Sequence, residues 1–448
     1  MKLSTNHPVK KRPKILIDNS SYHLRNMGDV AMLNIAITRL FKLWPQAQLT
    51  VFTEDPYQLA SINGSIKPIS MKGRRQWLQR DNVLGGLHHF IPNKLLSKLY
   101  SFEAFLRRTW PSVTRSWIAR RLEKREVDCT PMQDYFEAIQ NCDLLIATGG
   151  GYITDAFESH AIEVLETACL AKYYQKPVAF LGQGLGPITQ EKLKNSVLKI
   201  LPKIDLLLLR EGILGKKITR DNAISDDKVI VSGDDALELA YLNRPNKLGN
   251  LIGLNLRIAD YSGLDNEKAR SIVRQVIEIA IELKDNVILP IGISQHDTEM
   301  DAETSAQIVN ELGGVLATFG SPNPDSILDV IKEIGRCRVV ITVSYHAGVF
   351  ALSQGIPIIA LAPSAYYSAK LLGLSSQFGS ACQVVELDSP LWPQQLNNAI
   401  RNAWKNAEHS SPELLKAAQE QLEIQSKAYQ RLTTLVNCDD INKGGKDD

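Results

Sequence analysis

One histidine in the second half of the chain stands where a general acid or base is expected. His346 lies in the run Thr342–Gly348, directly after the β-branched run Val339–Thr342, which predicts a buried strand. Imidazole exchanges a proton near neutral pH, so such a histidine can pass a proton to or from a substrate. An isolated histidine is more often structural, but a strand end that faces a cleft favours chemistry. We therefore interpret His346 as the leading catalytic candidate and place its neighbour Tyr345 in the same cleft.

Positively charged side chains follow other predicted strands. Arg210 and Arg257 each stand at the end of an apolar run of strand length, and His296 holds an equivalent position. Lys370 lies in the segment Tyr366–Lys370, which follows the next predicted strand. A guanidinium binds a carboxylate or phosphate through two parallel hydrogen bonds, whereas an ammonium acts as a point charge. The three cations therefore predict a site for an anion, although a salt bridge to a neighbour is the alternative for Arg210.

Glycine-rich turns follow two further predicted strands. Gly149, Gly150 and Gly151 expose backbone N–H groups in a way suited to a phosphate or a carboxylate, and a purely structural turn is the alternative. The G-K-[ST] ending of a Walker loop is missing. The loop Gly182–Pro187 lacks the spacing of a dinucleotide-binding turn, so we expect it to face the cleft and to present Gln183 there.

Two acidic stretches complete the predicted site. Asn26, Gly28 and Asp29 open a helical run, where Gly28 permits a tight turn and Asp29 caps the helix. A helix N-terminus favours an anion, and an ordinary strand-to-helix turn is the equal alternative. Asp234 and Asp235 are paired carboxylates that can share a proton or hold a cation. Since nothing else indicates a metal, we expect positioning or capping there, with no metal and no cofactor.

The elements that must position these residues alternate along the chain. Short apolar runs are followed by turns and then by helical patterns, which is typical of α/β layers built on parallel sheets. In such sheets, ligands bind beyond the carboxyl ends of the strands. The prediction is two Rossmann-like lobes with a cleft between them. The expected units are a first lobe of residues 1–240, a second lobe of residues 250–410, a C-terminal helix of residues 411–436 and a polar tail of residues 437–448.

Residues 72–125 differ from the rest of the first lobe. They contain thirteen lysines and arginines against three acidic residues, with Trp77, Trp110 and Trp117 interleaved, which predicts a helical basic insertion. One interpretation is a face for a polyanionic acceptor or an anionic membrane surface. The other is a solvated helix pair whose tryptophans pack inward, since charge runs are usually solvated faces.

Composition narrows the function classes. The 448 residues carry a formal net charge of +2, which argues against a nucleic-acid binder. The six cysteines are scattered, so neither a disulfide framework nor a zinc site is expected, and a reducing cytoplasm fits best. Neither a secretory signal nor a membrane-spanning run is visible, so we expect a cytoplasmic protein, with peripheral contact at the inner membrane face through residues 72–125 as an open hypothesis.

Taken in order, these motifs resemble the polysaccharide pyruvyl transferase family over about residues 15–374. The residues that carry the resemblance are Asn26, Gly28, Asp29, Ala31, Gly149–Gly151, Gly182–Gly184, Arg210, Glu211, Gly233–Ala236, His346, Gly355, Pro357, Tyr367 and Lys370. No single motif is specific, whereas their order and spacing together are. The resemblance implies two lobes similar to those of GT-B glycosyltransferases. It also implies transfer of a pyruvyl group from phosphoenolpyruvate to a sugar hydroxyl of a polysaccharide or of its lipid-linked precursor.

The resemblance further implies roles for individual residues. His346 is then the acid/base, while Arg210, Lys370 and Arg257 neutralise the carboxylate and phosphate of the donor. One position departs from the family pattern, because Ser344 stands where family members often carry an arginine that contacts the donor. Arg257 or Arg338 is a possible replacement. A nucleotide-sugar glycosyltransferase and a non-catalytic glycan-binding protein of the same fold are the competing hypotheses.

Overall fold

The first lobe is a parallel sheet covered by helices. The computed structural model describes residues 12–79, 83, 93–258, 263–284, 287–295, 300–318 and 326–436, with the backbone only for 93–97. The elements of the first lobe are β1 (Lys14–Asp18), α1 (Met27–Leu43), β2 (Gln48–Phe52), α2 (Pro56–Ile62), β3 (Lys67–Ile69), α3 (Lys72–Leu78), α4 (Asn93–Thr109), α5 (Pro111–Glu123), α6 (Thr130–Asn141), β4 (Leu144–Ala147), β5 (Gly150–Ile153), α7 (Glu158–Tyr173), β6 (Val178–Leu185), α8 (Glu191–Ile200), β7 (Leu206–Leu209), α9 (Leu214–Asp221), β8 (Val229–Val231) and α10 (Ala236–Leu242).

The second lobe repeats this plan with a smaller sheet. Its elements are β9 (Leu251–Asn255), α11 (Asn266–Glu282), β10 (Val287–Pro290), α12 (Asp301–Glu311), β11 (Val315–Leu316), α13 (Ile327–Ile334), β12 (Cys337–Thr342), α14 (Tyr345–Ser353), β13 (Ile358–Ala362), α15 (Ala365–Phe378), β14 (Cys382–Glu386), α16 (Trp392–Gln430) and α17 (Leu432–Val436).

Both sheets have the strand order of doubly wound folds. The first runs β3-β2-β1-β4-β6-β7-β8 with β5 added beside β6, and the second runs β11-β10-β9-β12-β13-β14. Every recorded strand pair is parallel; for example, Ile15 lies beside Leu144 and Ile341 beside Leu254. Central strands such as β7 are buried along their whole length, which is why they read as unbroken apolar runs. The predicted α/β class with two lobes is confirmed.

The two lobes share a core at their junction. Met27, Ala31 and Met32 of α1 pack into the hydrophobic cluster of the second lobe, together with residues of α10. The backbone also joins the lobes, because the Met27 N–H donates to the Ile293 carbonyl at 2.9 Å. The N-terminal turn of α1 is therefore fixed against the second lobe, which places Asn26–Asp29 at the interlobe cleft.

The last long helix differs from its prediction. The charged helical pattern predicts a helix over residues 411–436, whereas α16 begins at Trp392 and continues through Pro412. Pro412 is exposed, and the strong helix formers Glu413, Leu414 and Leu415 follow it, so the helix accommodates the one backbone hydrogen bond that proline removes. The end of α16 returns to the first lobe, where Ala428 and Tyr429 pack in the cluster that contains Ile15.

The insertion predicted at residues 72–125 is helical over its described part, in α3, α4 and α5. Several of its cations are structural. Arg74 is fully buried and binds the Asp18 carboxylate at 2.6 Å, and Arg108 pairs with Glu166. Trp77 packs inward, edge-on to Phe136, as one interpretation predicted, whereas Trp110 and Trp117 are exposed. Within the described ranges, no helix has both the length and the apolar character needed to cross a bilayer.

Candidate functional site

The predicted strand-end residues converge on a cleft between the lobes with a volume of about 400 Å³. The first lobe contributes Asn26, Asp29, Gly151 and Arg210, and the second contributes Arg257, Ser344, Tyr345, His346 and Lys370. All follow the carboxyl ends of parallel strands, which is where this topology opens a crevice. The site is therefore composite, and neither lobe contains it alone.

His346 is buried at the base of this cleft, in the first turn of α14. Its Nε2 has no hydrogen-bond partner and lies 3.7 Å from the Asp234 carboxylate Oδ2, which is also unpartnered. Burial is the main cause that lowers the pKa of His346 well below its usual value, and the charges of Arg210, Lys370 and Arg257 add to it. The imidazole is consequently neutral at pH 7, with a free nitrogen available for a proton.

Gly28 explains how the imidazole reaches this position. A Cβ placed on Gly28 would lie 2.0 Å from Cγ of His346, which no side chain tolerates. Glycine at 28 therefore lets α1 of the first lobe approach α14 of the second. The helix cap is Asn26, whose side chain accepts from the N–H groups of Gly28 and Asp29, so the predicted capping role of Asp29 is wrong. Asp29 is instead a first-turn carboxylate that lines the cleft.

Two carboxyl groups near His346 are shifted towards the protonated state. Burial raises the pKa of Asp234 to about 7, against the opposing charge of Arg210. Burial also raises the pKa of Asp29 to about 6, opposed by a hydrogen bond to Ser20. A buried carboxyl and a neutral imidazole side by side can share one proton near neutral pH. This arrangement can deliver a proton to a bound molecule and take one back.

Arg210 is the most tightly enclosed cation of the cleft. It is buried, and its guanidinium lies 4.0 Å from the centroid of the Tyr345 ring. Glycines make room for it, since a Cβ on Gly151 or Gly184 would lie within 2.5 Å of guanidinium nitrogens. The Gly151 position is therefore required by packing around Arg210, and the buried Nε has no hydrogen-bond partner.

Lys370 and Arg257 complete the positive wall. The ammonium of Lys370 lies 3.6 Å from the centroid of the Tyr367 ring, and burial with the charges of Arg210 and Arg257 holds its pKa well below the ordinary value. Arg257 donates to Asp301 at 3.1 Å. The charges of Arg210 and Arg257 thus oppose the protonation of Lys370, and this repulsion favours a ligand with more than one negative charge.

Several predicted residues lie outside the lining. Gln183 is fully buried and donates to the Thr148 carbonyl and to the Tyr152 hydroxyl, so its predicted presentation in the cleft is wrong: β6 extends past it to Leu185. Gly149 and Gly150 also lie outside the lining, and a Cβ on Gly149 would meet the Gly182 carbonyl at 2.8 Å.

Asp235 and Arg338 serve elsewhere. Asp235 binds Arg39 at 3.0 Å and the Tyr429 hydroxyl at 2.7 Å, which ties α16 to the first lobe. Arg338 donates to the Trp404 carbonyl and pairs with Glu408 away from the cleft, so it cannot replace the missing arginine at Ser344. His296 lies outside the described residues. Across the described ranges no group of side chains is arranged as a metal site.

An aromatic side of the cleft escaped sequence reasoning. Tyr152, Phe157 and His160 line the first-lobe wall with Ser20 and Ser21. The His160 ring lies 4.7 Å from the Tyr152 ring, its Nε2 is unpartnered, and burial lowers its pKa to about 3. His160 lies in the first turn of α7, nine residues after Gly151, and no strand-end pattern marks that position. The cleft therefore has a cationic side and a neutral, aromatic and hydroxyl-rich side.

The comparisons with known proteins agree with this cleft. Residues 26–365 match the polysaccharide pyruvyl transferase family, a span that contains every described cleft residue named above except Ser20, Ser21, Tyr367 and Lys370. The chain belongs to the polysaccharide pyruvyl transferase family. It is also 22% identical over 271 residues to the amylovoran biosynthesis protein AmsJ of Erwinia amylovora, covering 55% of this chain and 62% of that protein. The match thus spans less than two thirds of the curated relative.

Solved structures of low identity share the two-lobed, GT-B-like fold. A Listeria monocytogenes protein assigned as a UDP-N-acetylglucosamine 2-epimerase has 13% identity and a TM-score of 0.57, with 94% of this chain and 95% of that chain covered. A glycosyltransferase of Rickettsia africae has 12% identity and a TM-score of 0.52, with 96% and 100% covered. At this identity the likeness concerns the fold alone.

Proposed function

We propose that this chain transfers a pyruvyl group from phosphoenolpyruvate to a sugar hydroxyl of a polysaccharide or of its lipid-linked precursor. The observation that carries the proposal is the set of Arg210, Arg257 and Lys370 around the neutral imidazole of His346. Phosphoenolpyruvate presents a carboxylate and a phosphate a few bonds apart, which matches cations spread over both lobes. Family membership supports the same donor.

Donor binding would prepare the acid. The pKa of His346 is held down partly by the charges of Arg210, Lys370 and Arg257. An anionic donor neutralises those charges, so the imidazole pKa rises and the imidazole takes up a proton, with Asp234 3.7 Å away as its proton partner. The protonated imidazole then protonates the methylene carbon of the donor, which leaves the adjacent carbon electron-poor.

The remaining steps close the transfer. The oxygen of the acceptor hydroxyl forms a bond to the electron-poor carbon, and its proton passes to the imidazole or to Asp234. Phosphate leaves with the electrons of its carbon–oxygen bond, and Arg210 and Lys370 stabilise the charge that develops on it. A second hydroxyl of the sugar then attacks the carbon that phosphate has left, and its proton passes to Asp234 or to the departing phosphate, which gives the cyclic ketal.

The aromatic side of the cleft suits the acceptor. Sugars stack their apolar faces on aromatic rings and exchange hydrogen bonds with hydroxyl groups, and Tyr152, Phe157 and His160 provide both next to Ser20 and Ser21. We place the acceptor sugar there and the donor on the cationic side.

The five described cysteines are unpaired, which supports a reducing, cytoplasmic location.

Binding and turnover measurements test the proposal. Titration calorimetry with phosphoenolpyruvate should show saturable binding that Arg210→Gln and Lys370→Gln weaken, and mass spectrometry should find a pyruvyl mass on a glycan acceptor. His346→Gln should keep donor binding and lose transfer. Binding of a nucleotide sugar without binding of phosphoenolpyruvate would overturn the donor assignment in favour of glycosyl transfer. An unaltered in vivo phenotype of His346→Ala would favour a non-catalytic role.

A further inference from the structure

The insertion carries an exposed apolar surface on the hairpin formed by α4 and α5. Its members are about half exposed, a large fraction for side chains of this size, and we call them the hairpin patch: Phe102, Phe105, Trp110, Val113 and Trp117. Single exposed apolar side chains are common on proteins, whereas a contiguous group marks a binding surface. The first question is therefore whether these five are contiguous.

Helix spacing and ring contacts show that they are. Phe102 and Phe105 lie on one side of α4, stacked with their centroids 6.4 Å apart. Phe105 meets Trp110, in the turn between the helices, at 6.1 Å. On α5, Val113 and Trp117 are four residues apart and so share a face. The patch covers the end of the hairpin that contains the turn.

The opposite side of the hairpin is firmly held, so the exposure is not that of a loose segment. Leu106 and Ile118 are buried in the first-lobe core. Arg108 of α4 pairs with Glu166 of α7, and the Thr114 hydroxyl donates to the Leu106 carbonyl across the helix junction. The patch is presented by a fixed element.

Basic side chains lie behind the patch, away from the turn. Lys98 stands one helical turn before Phe102, while Arg120 and Lys124 continue the Trp117 face of α5. These three are exposed, and none has a recorded ion pair with a described residue. Among the described side chains of α4 and α5, Glu123 is the one exposed acidic residue. The hairpin is thus apolar at the end that contains its turn and positively charged one to two helical turns further from that end.

We propose that the hairpin docks on an anionic lipid bilayer. Aromatic side chains favour the boundary between headgroups and acyl chains, and lysines and arginines above them reach the lipid phosphates. The order of apolar tip and basic flank matches the order of layers in a membrane surface, and a protein groove has no such layering. The proposal is independent of the donor and of the reaction.

Docking would bring a membrane-held acceptor near the cleft. α4 packs against α7, whose His160 lines the aromatic side of the cleft, and a crevice between these helices includes Tyr100 and Ser159. The hairpin is therefore attached directly to one wall of the site. Only this consequence rests on the proposed function.

Vesicle flotation with the full chain tests the docking. The unaltered protein should float with vesicles of phosphatidylcholine and phosphatidylglycerol at low salt and much less with phosphatidylcholine alone. Trp110→Ser with Trp117→Ser should remove flotation on both. Arg120→Gln with Lys124→Gln should weaken partitioning to anionic vesicles about 25-fold, since each cation near such a surface contributes about fivefold. High salt should imitate the second change.

Matched controls separate docking from general surface effects. Tyr57→Ser removes an aromatic ring that is 89% exposed elsewhere on the first lobe, and Lys405→Gln with Lys427→Gln removes two exposed cations of α16. Both should float like the unaltered protein, and thermal unfolding should show every variant folded. Absence of flotation by the unaltered protein overturns the proposal, as does flotation that the hairpin changes leave unaltered. Phosphoenolpyruvate titration of the same samples reports on the proposed function separately.

Discussion

Gly28 is the position at which one added methyl group should disturb the contact between the two lobes. In Gly28→Ala the new Cβ would lie 2.0 Å from Cγ and 2.1 Å from Nδ1 of His346. Carbon atoms in contact are normally about 3.5–4.0 Å apart, so the pair must separate by roughly 1.5 Å or more. Both groups are helix-borne and buried, and α1 is fixed to the second lobe through the Met27–Ile293 hydrogen bond. The space beside this pair is the cleft that His346 lines, so relief of the clash moves the imidazole out of its position.

The cost follows from overpacking. Extra methyl groups in closely packed interiors cost about 1–3 kcal/mol, and this clash belongs near the upper end because backbone-near atoms of both residues collide. A displacement of about 1 Å at a catalytic group lowers the rate about 100-fold. We therefore expect Gly28→Ala to lose about 2–3 kcal/mol of unfolding free energy and at least 100-fold in kcat/KM for pyruvyl transfer.

Urea unfolding and steady-state turnover measure the two effects, and a second glycine provides the control. A Cβ on Gly64 has the Ala60 carbonyl at 3.9 Å as its nearest neighbour, so Gly64→Ala should stay within about 0.5 kcal/mol and keep its activity. The clash itself is tested by Gly28→Ala combined with His346→Gly, which removes the colliding ring. The double variant should recover at least 1 kcal/mol relative to the sum of the single changes. Additive free energies, or full activity in Gly28→Ala, would refute the close approach.

Three further outcomes concern Arg210, Asp234 and the hydrogen bond between Tyr429 and Asp235. Arg210→Gln should weaken phosphoenolpyruvate binding by about 10- to 100-fold in calorimetry, because a charge-assisted hydrogen bond contributes about 1.5–3 kcal/mol; unchanged affinity would remove Arg210 from the donor site. Asp234 has a folded-state pKa raised to about 7, so its ionisation opposes folding: the stability present below pH 4 is lost as the pH rises through 7. Asp234→Asn should therefore gain stability relative to the unaltered protein between pH 5 and pH 8 in urea titrations, by about 2–4 kcal/mol, while transfer falls; a pH-independent difference would contradict the buried carboxyl. Tyr429→Phe removes the 2.7 Å hydrogen bond to Asp235 and should cost about 1.5–3 kcal/mol of unfolding free energy. Thermal unfolding should show this loss, and calorimetry on the same sample should show that phosphoenolpyruvate binding is kept. A loss of donor binding would instead mean that the hydrogen bond at Asp235 shapes the cleft.

The strand-end rule predicted the cationic side of the cleft well, for a physical reason. Arg210, Arg257 and His346 lie within a few residues of the end of an apolar run, Lys370 lies in the helix that follows another such run, and parallel strands bring their carboxyl ends to one edge. The rule needs only the end of each strand to be read correctly within a residue or two. It also predicted two lobes, since each half of the chain carries its own set of buried runs.

The same rule failed where strands continue beyond their apolar run. β6 extends to Leu185 through glycines and Gln183, because β5 pairs with it from Gly150 onwards, so Gln183 points inward instead of into the cleft. Strand pairing of this kind depends on a partner distant in sequence and leaves no local pattern. His160 was missed for a related reason, since only the packing of α7 brings it beside Tyr152.

Ser344 holds the position at which the family resemblance leads us to expect an arginine. Its hydroxyl accepts from the Ala347 N–H and its backbone N–H donates to Asn255 and Thr342, so the residue fixes the turn that sets His346. The positive charge comes instead from other strands, and Arg257 is held in place by Asp301. A fourth cation beside His346 would lower the imidazole pKa further and make its protonation harder. Three cations beside a neutral imidazole thus suit the binding of an anion, which under the proposed function the imidazole then protonates.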